Sequence, residues 1–356
     1  MEKATPYSNL KIFAHAQVIN DIGEGKRIAP IYIRIKPTNY CNHKCYYCSY
    51  ADNALGLRDS VNRQDQIPWE KMQEIISDLS DMNVKAVTFS GGGEPLVYPY
   101  IVETMQRILD AKIDLSIITN GQLLKEERAE VLASAKWVRI SFDSADAETY
   151  AKIRQLPLDA FTEVCDNIKQ FSKIKQNNCE LGVNFVINHE NANQVYRMAE
   201  MVKELGVNHI KYTARVTKDL FTYHEPFRES VIEQIYRAKT DLEETGFRII
   251  NKYEGDFNSA LVFHRCYDKC YVNRILTVIA ADSKVYFCHD KAYVKEGVVG
   301  DLKNQSFKEL WFSEECIRRY QEFNPQEECN HHCVYDDRNE LLNHFYGLDR
   351  QHINFI

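Results

Sequence analysis

The chain has 356 residues, room for one large core plus a small module, and its 44% hydrophobic and 27% charged residues exclude a disordered protein. A formal net charge of −7 gives no overall basic field, so neither nucleic acid nor an acidic membrane surface is an expected partner. The opening MEKATPYSNLKIFAHAQVIN lacks the parts of an export signal, and no apolar run approaches ~20 residues, so a soluble cytoplasmic protein is expected.

In chain order, the first β-branched run is IYIRIKPT (Ile31 to Thr38), followed by a cysteine loop and a polar stretch to Gln66. PWEKMQEIISDLSDM then places a proline at a helix start and spaces Met72, Ile75, Ile76 and Leu79 on one face. The alternation repeats as VKAVTFS and YIVETMQRILDA, DLSIITN and LLKEERAEVLASA, WVRISFD and DAFTEVCDNIKQFSKIKQ, LGVNFVIN and NQVYRMAEMVKELG, and ends on HIKYTARV. Strands alternating with amphipathic segments are the pattern of an α/β protein with a parallel sheet; six such strands fit a partial (β/α)6 TIM barrel. After Val216 come a helix around Ser230 to Glu244 and a short FRII run, then a cysteine-rich tail. The expected organisation is an N-terminal extension (1–29), the partial barrel (30–250), and a small β-hairpin and helix domain with a C-terminal tail (251–356).

Eleven cysteines are many for a chain in a reducing compartment, where structural disulfides rarely persist. Cys41, Cys45 and Cys48 form one group; Cys266, Cys270, Cys288, Cys316, Cys329 and Cys333 form another. Cys165 and Cys179 stand apart and read as small apolar fillers. The first group follows the first strand directly, at the end of a barrel strand where such folds assemble active sites. Three thiolates within eight residues can hold three irons of a cube and leave the fourth open to a chelating molecule, although a zinc knuckle completed by His43 has the same donors.

Cys41-Asn-His-Lys-Cys45-Tyr-Tyr-Cys48, with an aromatic residue before its last cysteine, resembles the signature of the radical S-adenosylmethionine (SAM) superfamily. Ser90-Gly91-Gly92-Gly93-Glu94-Pro95 resembles the family segment whose backbone and glutamate hold the SAM amino group; glycine permits close approach and a carboxylate suits an ammonium. Thr119-Asn120-Gly121 and Ser141-Phe142-Asp143 end the next two strands. The resemblance, spanning about residues 30 to 216, implies cofactor contacts from Tyr47, Gly92, Gly93, Glu94, Asn120, Ser141, Asp143, Arg154 and Asn184, with Asn188 on the same strand face. It places Tyr47 against adenine and Arg154 on the SAM carboxylate. It also implies a SAM-binding 4Fe–4S cluster on Cys41, Cys45 and Cys48, and reductive cleavage of SAM to a 5′-deoxyadenosyl radical. An electron donor such as flavodoxin or ferredoxin is the implied protein partner.

In the tail, ILTVIAADSKVYFC, GDLKNQSFKELW and a close cysteine pair resemble the SPASM and twitch modules appended to radical SAM enzymes, as in the butirosin-pathway dehydrogenase class. Ser283 stands where those modules carry a glycine. The resemblance implies one auxiliary 4Fe–4S cluster on Cys270, Cys288, Cys329 and Cys333, with Cys266 and Cys316 spare; spacing alone leaves zinc open. His264, His289, His331 and His332 receive no role.

These features point to a radical SAM oxidoreductase or lyase. With few residues before the first strand for recognising a leader peptide, the expected substrate is a small polar molecule: a sugar, aminosugar or nucleotide-linked sugar. Dehydrogenation, elimination and epimerisation are the expected outcomes. A peptide maturase with the same clusters and a zinc-stabilised binding module without radical chemistry are the alternatives. No residue is marked as a catalytic base or hydrogen donor.

Overall fold

The computed structural model describes residues 8–50, 60–217, 219–260, 265–329, 333–349 and 351–355, without the side chains of 258–260. A 3-10 stretch, Asn9–His15, leads into α1 (Ala16–Gly23). Then come β1 (Tyr32–Ile35), α2 (Trp69–Asp81), β2 (Ala86–Phe89), α3 (Ile101–Asp110), β3 (Asp114–Thr119), α4 (Glu126–Leu132), β4 (Trp137–Ser141), α5 (Ala147–Arg154) and α6 (Asp159–Ile174). Next follow β5 (Glu180–Ile187), α7 (Val195–Glu204), β6 (His209–Ala214), α8 (Leu220–His224), α9 (Arg228–Leu242), β7 (Arg248–Asn251) and α10 (Tyr253–Ala260). The C-terminal part holds β8 (Leu276–Ile279), β9 (Lys284–Tyr286), β10 (Val298–Asp301), α11 (Phe307–Phe312), α12 (Glu314–Glu322), α13 (Pro325–Glu328) and α14 (Asp336–Tyr346).

All ten strands share one sheet in the order β10-β9-β8-β1-β2-β3-β4-β5-β6-β7. Strands β1 to β7 run parallel in chain order, which is the partial barrel expected from the alternating pattern. The FRII run adds a seventh strand, pairing Arg248 to Asn251 with His209 to Tyr212. On the other edge β8 pairs in parallel with β1, and β9 and β10 continue antiparallel as the C-terminal hairpin. The auxiliary unit is thereby joined to the barrel by backbone hydrogen bonds. Among the described residues β7 and β8 are not paired, so the barrel stays open there.

Side chains alternate across each strand, and here the alternation divides apolar from polar. Ile33, Ile35, Val87, Phe89, Leu115, Ile117, Val138, Ile140, Leu181, Val183 and Ile210 are buried in one core with helix residues Met72, Ile75, Leu79, Met105, Ile108, Val164, Ile168, Met198 and Val202. The opposite face carries Arg34, Thr88, Ser116, Arg139, Asn184 and Lys211, which leaves the lumen polar.

Ile12, Ile19 and Ile22 of the N-terminal segment pack against Val272, Ile275, Tyr335 and Leu342, which tethers the start of the chain to its C-terminal helix. Arg27 lies over the rings of Trp311 and Tyr320 at 4.0 and 4.4 Å and donates to the Trp311 carbonyl. No described helix is long and apolar enough to cross a membrane.

Candidate functional site

The first cysteine loop leaves β1 at its C-terminal end and is fastened to the end of α5: the Lys44 and Tyr46 amides donate to the Arg154 and Ile153 carbonyls at 3.1 and 3.2 Å. Helix carbonyls in the last turn lack intrahelical partners, and the loop amides satisfy two of them. Within the loop the Cys48 amide donates to the Cys45 carbonyl, and the His43 amide donates to the Cys41 sulfur at 3.4 Å. Cys41, Cys45 and Cys48 are half-buried free thiols. Burial and then the Glu94 carboxylate push the Cys41 thiol up to about 12, with Cys45 and Cys48 adding to the effect; burial likewise raises Cys45. Three thiolates this close repel one another as bare anions, and a cationic iron centre reverses that preference. The donor set and its electrostatics therefore fit an iron–sulfur cluster.

His43 does not present an unencumbered ring to the thiols. Its Nε2 lies 3.0 Å from Gln122 Oε1, its ring meets Tyr150 edge-on, and burial followed by Arg154 holds its pKa down at about 3. Among the described residues no three His, Cys, Asp or Glu side chains are gathered to hold a single metal ion.

The glycine segment lies against this loop. The Gly93 amide donates to the Thr38 carbonyl and the Glu94 amide to the Tyr40 carbonyl, at 3.0 and 2.9 Å. A Cβ on Gly93 would fall 1.9 Å from the Tyr40 oxygen, and one on Gly92 would fall 2.0 Å from Asn39 Oδ1. At Gly93 a side chain is excluded because two loops cross with backbone on backbone, and at Gly92 because the Asn39 and Tyr293 side chains fill the space. Glu94 is buried, and its carboxylate accepts from Leu96 N, Thr119 Oγ1 and Asn120 N at 3.0, 2.6 and 2.7 Å. A carboxylate has about four acceptor positions, so one remains for an incoming ammonium. Asn120 is anchored in turn, donating to Asn42 Oδ1 at 2.7 Å and accepting from the Gln122 amide.

Arg154 and Asp143 form a buried ion pair under the cysteine loop. Arg154 also donates to the Ser141 carbonyl at 2.8 Å and to the Cys45 sulfur at 3.4 Å. Asp143 accepts the Tyr47 hydroxyl and, through its other oxygen, the Val186 amide at 2.9 Å. In this structure the chain itself supplies the carboxylate that the resemblance assigns to SAM, and the phenol of Tyr47 is tied to the same acid. Asn184 Nδ2 donates to Thr213 Oγ1 at 3.3 Å while its buried Oδ1 is without a partner; Asn188 accepts from Tyr46 at 3.1 Å.

The second cysteine group assembles from separated chain segments. Cys270 precedes β8, Cys288 follows β9, Cys329 follows α13 and Cys333 precedes α14. Cys270 lies within electrostatic reach of Cys288, Cys329 and Cys333, and burial raises all four thiols, Cys270 to about 12. Among the spare cysteines, Cys316 is buried in the core and accepts from Arg27 at 3.0 Å, while Cys266 is exposed and faces Glu340. Cys165 is half-buried on α6 and Cys179 is buried before β5. His264, His331 and His332 lie outside the described residues; His289 sits beside Cys288 with its Nδ1 buried and without a hydrogen-bond partner.

Sequence reasoning missed the residues that join the two sites. The Tyr293 hydroxyl donates to Asn39 beside the first loop, and Lys36 donates to the Tyr50 hydroxyl at 2.6 Å while lying over both tyrosine rings. Only the period-two rule, which puts Lys36 on the face of Arg34, could have signalled this.

The comparisons agree with this geometry. The radical SAM superfamily matches residues 35–202, so the partial barrel with its cysteine loop is a radical SAM domain. The iron–sulfur cluster-binding SPASM domain matches residues 270–334, so the C-terminal unit is a SPASM-type domain. A "Probable GTP 3′,8-cyclase" of Saccharolobus islandicus is 29% identical over 224 residues, 61% of this chain and 68% of that one. An "AdoMet-dependent heme synthase" of Methanosarcina barkeri is 24% identical over 314 residues, 82% of this chain and 84% of that one. Streptococcus suis SuiB, bound to its precursor peptide SuiA, superposes with a TM-score of 0.61 at 17% identity over 89% of this chain and 72% of that one. Native anSMEcpe with bound AdoMet gives 0.59 at 18% identity over 89% and 97%. At such identities the superpositions speak for the fold. The two domains imply a 4Fe–4S cluster, an auxiliary iron–sulfur cluster and SAM.

Proposed function

We propose that this chain cleaves SAM reductively at a cluster held by Cys41, Cys45 and Cys48 and takes hydrogen from a small polar substrate. That substrate is a sugar, aminosugar or nucleotide-linked sugar, and its dehydrogenation, elimination or epimerisation makes the chain an oxidoreductase or lyase. The observation that carries this reading is the polar row Arg34, Thr88, Ser116, Arg139, Asn184 and Lys211, which faces the lumen beneath the cysteine loop while the opposite face is apolar. The cluster and SAM together supply a 5′-deoxyadenosyl radical, the hydrogen-abstracting agent.

The chain's own residues position and exclude. Glu94, fixed by three hydrogen bonds, presents its remaining acceptor position to the SAM ammonium, and Gly92 and Gly93 let its segment pack directly against Asn39 and Tyr40 at the start of the cysteine loop. Asp143 and Arg154 neutralise each other and hold Cys45 and Tyr47 in place. Ser141, Asn120 and Asn184 turn polar groups to the same end of the sheet. Cys270, Cys288, Cys329 and Cys333 would hold the auxiliary cluster, which supplies an electron acceptor or a brace. The name of the Saccharolobus relatives refers to a nucleotide, which is consistent with a small polar substrate.

The test is anaerobic incubation of reconstituted protein with SAM, a flavodoxin or dithionite, and separate pools of deuterated sugars, nucleotide sugars and peptides. Deuterium entering 5′-deoxyadenosine from a sugar pool supports the reading. Deuterium entering only from peptides overturns it.

A further inference from the structure

Asn273 lies on a short 3-10 turn, Val272–Arg274, between Cys270 and β8, and is 2% exposed. Its side-chain oxygen and nitrogen are both buried without a hydrogen-bond partner. A buried amide left unpaired is costly, so this one calls for a partner that the chain does not supply. The turn is fixed from outside: Asn339 Oδ1 accepts the Tyr271 and Val272 amides at 2.7 and 3.2 Å, and the Arg274 and Ile275 amides donate to the Tyr271 and Val272 carbonyls at 3.1 Å. Tyr271 already has right-handed helical angles (φ −79°, ψ −27°), and side chains three positions apart on such a turn eclipse each other. Cys270 and Asn273 stand at that spacing. Burial raises the Cys270 thiol, while the backbone amides of Asn273 and Val272, by hydrogen bonding, and the Arg274 guanidinium act against the rise. Charges around the other three thiols are mixed: Lys291 and Arg265 act on Cys329, whereas Asp290 opposes them there and also acts on Cys288 and Cys333. The Cys270 corner is therefore where added negative charge is best stabilised.

We propose that the Asn273 side-chain amide donates to a sulfur of the auxiliary cluster and raises the cluster's reduction potential. The inference rests on the assignment of Cys270, Cys288, Cys329 and Cys333 as the ligands of that cluster. Reduction adds one negative charge, part of which resides on the sulfurs, so a donor bonds the reduced form more strongly than the oxidised one; hydrogen bonds to sulfur are among the determinants of cluster potential. Asn273 ligates no iron and acts only through the cluster, as a positioning residue. Its Oδ1 cannot bond a sulfur that carries no proton, so Nδ2 alone is assigned. A brace needs no such tuning; an electron acceptor does. The competing use of the amide is to hold a buried water that leaves the cluster unaffected.

The experiment is an anaerobic redox titration, read by electron paramagnetic resonance, of reconstituted Cys45→Ser protein, which isolates the auxiliary cluster, alone and combined with Asn273→Ala or Asn273→Leu. At a fixed ambient potential the ratio of reduced to oxidised cluster should fall about tenfold in both variants, about 59 mV for one electron. Alanine opens space and leucine fills it, so a shift caused by packing or water entry would differ between the two, whereas loss of the donor is common to them. Asn273→Ser, which keeps a hydroxyl donor, should recover part of the shift. Should the variants fold poorly, pulsed resonance of Cys45→Ser protein with isotopically labelled nitrogen only in its asparagine side chains gives a second reading: a labelled nitrogen coupled to the reduced cluster is expected. An unchanged potential in both variants, shifts of opposite sign, or absence of the nitrogen coupling overturns the proposal. So does a loss of thermal stability with the potential unchanged, the outcome for an amide that binds water alone. If Cys45→Ser protein takes up no iron, the assignment of the four ligands fails and the proposal with it. If it holds a cluster whose potential ignores Asn273, the ligands stand and the proposal alone fails.

Discussion

Replacing Gly93 with alanine should damage the cysteine loop from a position that ligates nothing. The new Cβ would lie 1.9 Å from the Tyr40 oxygen, 2.4 Å from the Tyr40 carbonyl carbon and 2.6 Å from that of Asn39. All three are backbone atoms of the segment leading into Cys41, so no side chain can rotate away. Gly93 is not in a left-handed conformation, and the penalty is therefore contact alone. Overpacking of this kind costs about 1–3 kcal/mol, and stretching the Gly93 to Thr38 and Glu94 to Tyr40 hydrogen bonds adds about 1 kcal/mol, for a total of about 2–4 kcal/mol. In a chain of this size that corresponds to a fall in Tm of about 3–5 °C. Differential scanning calorimetry of the metal-free protein reads the loss, and iron analysis after reconstitution reads the displaced loop. Gly255→Ala is the control: its Cβ meets nothing within 4 Å and it lies in α10, where alanine favours the helix. A Gly93→Ala protein with wild-type Tm and full iron content would refute the crossing-loop explanation.

Glu94→Gln can no longer accept three hydrogen bonds and should lose about 1–3 kcal/mol in chemical unfolding, together with SAM affinity in equilibrium binding. Ser283 adopts φ 61° in the hairpin turn, a conformation that suits the glycine expected there, so Ser283→Gly should raise stability by about 0.5–1 kcal/mol in urea titrations. His224 is buried, with Nε2 3.1 Å from the Arg215 carbonyl and Nδ1 3.0 Å from the Tyr253 hydroxyl, and burial holds its pKa down at about 4 against an ordinary 6.5. The unfolded chain binds a proton between those values that the folded chain refuses, so stability should fall by about 2 kcal/mol as pH drops from 6.5 to 4 and stay level above. His224→Gln should remove that part of the slope, and an unchanged slope would count against it. Cys288→Ser should lower iron content from about eight to about four per chain while SAM cleavage under strong reduction persists.

The barrel strands were legible because each combines β-branched residues with a period-two pattern and is followed by an amphipathic helix. Strand β7 was not recognised as part of the barrel because FRII is only four residues long and gains its meaning from the β6 edge beside it. Helix α5 was likewise passed over, although Asp146 caps it by accepting the Thr149 amide, because only two turns follow. The cysteine trio and the glycine segment announced themselves by spacing. The partners of Arg154 did not: Asp143 stands eleven positions away and Cys45 more than a hundred, and only folding brings them to one guanidinium. The same holds for Arg34, Arg139 and Lys211, which stand far apart in the sequence and reach one face of the sheet only through the strand pairing.

The central claim is that Cys41, Cys45 and Cys48 hold a cluster with one iron left for SAM. Electron paramagnetic resonance of the dithionite-reduced Cys288→Ser protein, in which the auxiliary cluster is disabled, tests it most directly. Addition of SAM should change the spectrum of the remaining cluster, and the further substitution Cys45→Ser should abolish the signal. A spectrum indifferent to SAM, or one that survives loss of Cys45, would contradict the account.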